Sequence, residues 1–211
     1  MSVNDILDVA TLETPIDLWG WKGLTIVGTG IRAGLQTTPE ARVCIEQSSR
    51  VYYLLADAIS ENWLRGLKPD ARSLLPLYGS GKARAQTYAE IVETVMAALR
   101  EFRDVCLVFY GHSGVFVAPP AELRRTARSA GYQVRMLPGV SALDNLFSDL
   151  GLDPGITGLQ SYEATAFMLR APIFEPSAPL VLWQIGVLGE KEWRPQAPQD
   201  RAISGCYGTD F

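Results

Sequence analysis

The 211-residue chain is poor in the side chains that build covalent or metallic scaffolds, with three cysteines and one histidine. Cys44, Cys106 and Cys206 are odd in number, widely spaced and form no CxxC. They encode neither a disulfide framework nor a metal site, and they suit a reducing, cytoplasmic compartment. Positive charge is also short. Against 23 Asp and Glu stand 19 Lys and Arg, a net charge of -4, which argues against a sequence-independent grip on nucleic acid because that needs many cationic contacts to phosphate. The local run Arg124, Arg125, Arg128 reads as the solvated face of a helix whose other face carries Leu123 and Ala127. No apolar run is long enough to span a membrane. The first twenty residues carry Asp5, Asp8, Glu13 and Asp17 without a basic start, unlike a secretory signal.

With 47% hydrophobic and 20% charged residues, the chain can bury a sizeable core. From Leu24 onward, apolar β-rich runs alternate with helical patterns, which predicts an α/β fold with a mostly parallel first sheet. Strands are expected from Leu24 and over residues 51–55, 74–78, 105–110 and 132–137. Helices are expected from Thr38-Pro39-Glu40, over 83–102, from Pro119 to Gly131, and over 141–150, closed by Gly151. Past Asp153-Pro154-Gly155 the rhythm changes, and runs at 159–162 and 180–185 read as strands of a second, smaller lobe. The expected organisation is an N-terminal extension over 1–23, a first lobe over 24–153, a partial second lobe over 154–189, and an irregular tail over 190–211 with little to bury.

Three strand ends open into small-residue turns: Gly28-Thr29-Gly30, Tyr110-Gly111-His112-Ser113-Gly114, and Pro138-Gly139-Val140-Ser141-Ala142. Open α/β sheets bind ligands at that edge, where glycine lets a ligand approach the backbone. The first turn lacks the third glycine of a dinucleotide fingerprint and, taken alone, reads more readily as a plain strand-to-helix connection than as a nucleotide-binding turn. His112 lies in a glycine-flanked loop, where a ligand role and a structural one stand open together. Arg84 and Tyr88, four apart on one helix, can meet on one face, as a surface pair or as a working one. Gln184 ends an apolar run, as a polar group beside a ligand or as a satisfied amide in a buried strand.

Taken in order, residues 24–31, 109–116 and 136–142 resemble the tetrapyrrole-methylase family of S-adenosylmethionine (SAM) methyltransferases. Tyr78-x-x-Gly81-Lys82-x-Arg84-x-x-Thr87-Tyr88 resembles, within it, the borosin-type peptide backbone N-methyltransferases. That resemblance implies SAM bound by Gly28, Gly30, Tyr110, Gly111, His112, Val115, Phe116, Ser141, Ala142 and Gln184, with the His112 loop under the methionine and ribose and no metal. It implies catalysis by three side chains. Tyr88 would be the base, assisted by Arg84, and Tyr78 would hydrogen-bond the substrate carbonyl oxygen.

The resemblance further implies a precursor peptide as substrate, supplied by a separate chain because the tail after Gly189 shows no apolar core-peptide stretch. The alternatives are a precorrin-type tetrapyrrole C-methylase and an inactive SAM-binding partner subunit. The family domain ordinarily continues past the strand ending near Gly186, so a truncated second lobe is expected, with uncovered apolar edges that invite a homodimer.

Overall fold

The computed structural model describes residues 21–55, 57–115 and 118–188. The expected extension and tail therefore lie almost wholly outside the described residues. Strand β1 (Gly23–Gly28) is followed by helix α1 (Pro39–Gln47), β2 (Arg50–Leu54), α2 (Ala58–Leu67), the two-residue β3 (Arg72–Ser73), α3 (Arg84–Glu101), β4 (Asp104–Phe109), α4 (Ala118–Ser129) and β5 (Gln133–Leu137). These five strands form one sheet in the order β3-β2-β4-β1-β5, and every pairing is parallel.

Alternation along the strands divides the core in two. Leu24 and Ile26 of β1, Tyr52 of β2 and Val105, Leu107 and Phe109 of β4 pack with Ile91, Val95 and Leu99 of α3 and Leu123 and Ala127 of α4. Val27, Val51, Tyr53, Cys106 and Val108 face the other way, onto Ala41, Cys44 and Ile45 of α1 and Leu64 of α2. Both central strands are therefore buried on both faces, as a parallel sheet requires. Cys44 and Cys106 are buried thiols, and burial pushes both pKa values up, which leaves them inert.

Local chemistry sets the ends. Thr38 Oγ1 accepts the Ala41 N–H at 3.2 Å and Pro39 fills the first position of α1. Helix α5 (Ala142–Leu150) opens on a reciprocal capping box between Ser141 and Asp144 and closes on Gly151 at φ 63°. Two expectations need correction. Residues 74–78 are no strand: β3 stops at Ser73 and Leu75–Leu77 turn as a 3-10 helix, because Pro76 has no N–H to give a ladder. Helix α2, which sequence reading passed over, forms on Asp57, whose carboxylate accepts the Ser60 N–H at 2.8 Å.

Beyond α5 come the single-turn α6 (Pro154–Thr157), β6 (Gln160–Glu163), α7 (Ala164–Arg170) and β7 (Leu180–Trp183). Strands β6 and β7 pair in parallel as a separate two-stranded sheet. Among the described residues no helix is long and apolar enough to cross a membrane.

Candidate active site

Because all five strands run the same way, the loops after β1, β3, β4 and β5 leave from one edge. Strand β4 stands between β1 and β2. The helix after β4 packs on one face of the sheet, while those after β1 and β2 pack on the other. Loops that part to opposite faces open a crevice outside the carboxyl ends of the strands.

Gly30 and Gly111 join the β1 and β4 loops in a two-bond antiparallel bridge, at 3.2 and 3.0 Å. A Cβ on Gly28 would lie 2.3 Å from the Gly111 carbonyl oxygen, and one on Gly139 would lie 2.4 Å from the same atom. Gly28 and Gly139 are thus required for three loops to touch one another. Gly111 is required for its own conformation, at φ 67°.

Hydrogen bonds fix the loops further. Gln36 Oε1 accepts the Ile31 and Arg32 N–H groups at 3.0 and 2.9 Å, and its Nε2 donates to Asn145 Oδ1 at 2.8 Å. Asn145 in turn donates to the Ser141 carbonyl at 2.9 Å. The turn after β1 and the start of α5 are therefore one bonded unit. Ser113 Oγ donates to the Leu137 carbonyl, and Gly114 N–H donates to His112 Nδ1 at 3.0 Å. An accepting Nδ1 places the imidazole proton on Nε2.

Of the expected cofactor residues, Tyr110 and Val115 are 37% and 38% exposed at the β4 end, and Ala142 is exposed at the first position of α5. Burial raises the Tyr110 pKa, with the Asp57 carboxylate adding to it, so the phenol stays neutral. Phe116 lies outside the described residues. Gln184 departs from expectation. It stands past β7 rather than within an inward strand, exposed, in the left-handed region at φ 59° and capping a short 3-10 turn.

The second group follows β3. Tyr78 closes the Leu75–Leu77 turn, its N–H donating to the Leu75 carbonyl at 2.9 Å, and Arg84 is the first residue of α3 with Tyr88 one turn on. Both tyrosines are half-buried against the core cluster that contains Phe109. The Tyr78 phenol is pushed up to about 12 by burial and by the neighbouring Tyr88, with the Arg84 guanidinium opposing. Tyr78 thus stands close enough to both Tyr88 and Arg84 to feel their charges. The connection from β3 to α3 that carries Tyr78 and Arg84 leaves the same edge of the sheet as the glycine loops.

Residues 23–173 match the family described as Tetrapyrrole (Corrin/Porphyrin) Methylases. The chain belongs to the tetrapyrrole methylase family. Among its relatives are the methyltransferase/ribosomally synthesized cyclic peptide precursors of the gymnopeptides from Gymnopus fusipes and of omphalotin A from Omphalotus olearius. Each is 42% identical over 166 residues, covering 79% of this chain and 40% of the relative. A methyltransferase/type I borosin cyclic peptide precursor from Coprinopsis marcescibilis is 40% identical over 171 residues, covering 81% of this chain and 44% of the relative. The chain thus spans about two fifths of the length of these relatives. The uroporphyrin-III-C-methyltransferase of Thermus thermophilus superposes with a TM-score of 0.55 at 20% identity, covering 76% of this chain and 67% of that one, a likeness of fold. Both levels of the sequence resemblance, to tetrapyrrole methylases and to borosin methyltransferases, are borne out.

Two positions that bind the site's loops together were left without a role by sequence reading. Asn145 belongs to the first turn after the Ser141-x-x-Asp144 box, a motif visible in the sequence. Gln36 has no local signal, because its partner is 109 residues away.

Proposed function

We propose that this chain is the methyltransferase part of a system that methylates backbone amide nitrogens of a precursor peptide with SAM. The observation that carries the reading is the pair of tyrosines beside Arg84, with Tyr78 held protonated, at the same sheet edge as the glycine loops.

The residues present fit SAM. Tyr110 and Val115 offer exposed apolar surface at the β4 end, Ser141 and Ala142 start a helix beside them, and His112 keeps an Nε2–H as a donor. When bound, SAM supplies a methyl carbon already made electrophilic by its sulfonium. The protein's task is to align that carbon and to create a lone pair on the acceptor.

An amide nitrogen has little lone pair to give, since resonance draws it into the carbonyl. Loss of the N–H proton restores it as an imidate. Tyr88, as a phenolate stabilised by Arg84, accepts that proton on its Oη, while the Tyr78 phenol donates to the carbonyl oxygen where the charge collects. The Tyr78 phenol, held up near 12 chiefly by burial, is a donor at neutral pH, which supports the carbonyl-binding role given to it here. Self-association, expected from the sequence, has its candidate surface near Ile173 and Ile185, 100% and 63% exposed, and light scattering across micromolar concentrations checks it.

The test is mass spectrometry of a candidate precursor peptide with enzyme and SAM, with fragmentation to place each methyl. Tyr88→Phe is expected to keep SAM binding by calorimetry and to lose about 10²- to 10⁴-fold in turnover, the range for a removed general base. Methyls on side chains or on a tetrapyrrole, or a Tyr88→Phe enzyme at full rate, reject the mechanism. SAM binding without transfer to any acceptor favours a binding partner subunit.

A further inference from the structure

Between the Leu75–Leu77 turn and α3, the chain makes a short strap containing Tyr78, Gly79, Ser80, Gly81 and Lys82. Gly81 takes φ 72°, and among the described residues no atom would lie within 4 Å of a Cβ there, so little side-chain packing from them holds the strap at that point. Its first residue is Tyr78, whose phenol needs a fixed position to meet a carbonyl oxygen. The Lys82 side chain crosses the strap. The Lys82 ammonium donates to the Leu77 carbonyl at 2.7 Å, immediately before Tyr78, and also ion-pairs with Glu90, two turns into α3. Glu90 is itself held by Gln86 Nε2 at 3.3 Å, and its carboxyl is kept below the usual range chiefly by the Lys82 hydrogen bond. Lys82 is only 19% exposed. A charge-assisted bond at such a site is stronger and better fixed than a surface pair.

The connectivity of these bonds has a direct consequence. Arg84 and Tyr88 ride on α3, whereas Tyr78 belongs to the preceding turn, and the strap backbone also turns on itself through Tyr78 N–H to Leu75 and Lys82 N–H to Gly79. The Lys82 ammonium therefore links the carbonyl next to Tyr78 directly to the helix that carries Arg84 and Tyr88.

We infer that Lys82 is a positioning residue, a cationic clamp on the Leu77 carbonyl and Glu90 that fixes the Tyr78 phenol relative to Arg84 and Tyr88 for engagement of the substrate amide. The inference rests on the functional reading above for its last step, while the clamp itself is a property of the fold.

The experiment combines hydrogen exchange of the strap amides with methylation kinetics and SAM calorimetry on the full chain. In Lys82→Met, exchange over residues 77–82 is expected to rise about tenfold, the scale of one charge-assisted hydrogen bond, with exchange of the β4 and β1 amides unchanged. Turnover is expected to fall through kcat by about tenfold, with KM for the peptide altered less and SAM affinity unmoved. Lys82→Arg, which keeps a donor for the Leu77 carbonyl and a cation for Glu90, should recover part of both losses, whereas the exchanged pair Lys82→Glu with Glu90→Lys, which leaves that carbonyl without a donor, should not. Unchanged exchange in the strap, exchange raised equally throughout the sheet, or a loosened strap with unaltered kcat overturns the inference. A wild-type chain that transfers no methyl group overturns the functional reading and the positioning role with it, while the exchange data still decide whether the clamp exists.

Discussion

The two parallel sheets of this chain are built to different standards. In the five-stranded sheet, β1 and β4 are buried along their whole length and covered by helices on both faces. In the two-stranded sheet no residue of β6 or β7 reaches full burial, and Ile156, Leu169, Ile173 and Ile185 around it stand 63% to 100% exposed. An isolated pair of strands is marginal in water, so the second region's order is held by local devices. Among these are the Trp183 Nε1–H to Ser161 Oγ bond at 2.6 Å, the Glu163 cap on α7 and the contact of Phe167 with Tyr162 and Phe174. Folding energy and the candidate site belong to the first sheet.

The largest expected effect tests that asymmetry directly. Leu107→Ala removes a fully buried side chain from the central strand and should lower the free energy of unfolding by about 2–5 kcal/mol. Leu182→Ala, at a half-buried position of β7, should change the same transition by less than about 1 kcal/mol, because surface-side truncations away from a core do little. Urea unfolding of both variants measures it. Equal losses would show that the two sheets share one core.

Next comes loop closure at the first sheet's edge. Gly139→Val would place a Cβ 2.4 Å from the Gly111 carbonyl oxygen and 2.8 Å from the Gly28 backbone, where neither neighbour is a flexible side chain that can yield. We expect a loss of about 1–3 kcal/mol, the range for overpacking, together with loss of SAM affinity by calorimetry. Gly186→Val, beside the second sheet with nothing within 4 Å among the described residues, should leave both unchanged.

What could be read from sequence follows the same division. The first sheet's strands are continuous apolar runs, and its helix ends carry chemical marks such as Thr38-Pro39 and Ser141 with Gly151, so both were legible. The error at residues 74–78 came from weighing leucines over Pro76, and α2 was missed because Ser60, Asn62 and Gly66 weaken its helical signature. In the candidate site, the four-residue spacing of Arg84 and Tyr88 was readable, whereas the nearness of Tyr78 came from resemblance alone. The contact of Gly28 with Gly139 and the bond between Gln36 and Asn145 join segments about a hundred residues apart, and no local pattern encodes them. Gln184 was misplaced because an apolar run does not reveal where a strand stops and a left-handed residue begins.

A smaller effect is expected from the cap that joins the site to its helix. Ser141→Ala removes the acceptor for the Asp144 N–H and one partner of the Asp144 carboxylate, and should destabilise the protein by about 1 kcal/mol. Because Asn145 binds the Ser141 carbonyl and also Gln36, the loss should reach the loop after β1. Raised hydrogen exchange at residues 31 and 32, whose N–H groups end on Gln36, would report it, and protection unchanged there would separate the two loops.

The smallest effect is one of pH, and it sharpens the contrast between the sheets. Asp144 caps α5 and Glu163 caps α7, and both carboxyls are held below their ordinary range. Asp144 is lowered chiefly by the Ser141 side chain, and Glu163 by the Ala166 and Thr165 N–H groups. A carboxyl with a lowered folded-state pKa contributes stability that is present above its unfolded value and is lost as pH falls through the folded one. Acidification from the ordinary carboxylate range downward should therefore weaken both caps. Helix α5 retains the Asn145 side-chain bond to the Ser141 carbonyl through this range, since neither group titrates. Helix α7 is seven residues long, and the Glu163 carboxylate accepts two of its first N–H groups, at 3.0 and 2.7 Å. The Thr165 and Ala166 amides should lose protection at a higher pH than those at the start of α5, after correction for intrinsic exchange rates. The reverse order would show that the second region has support beyond its local caps.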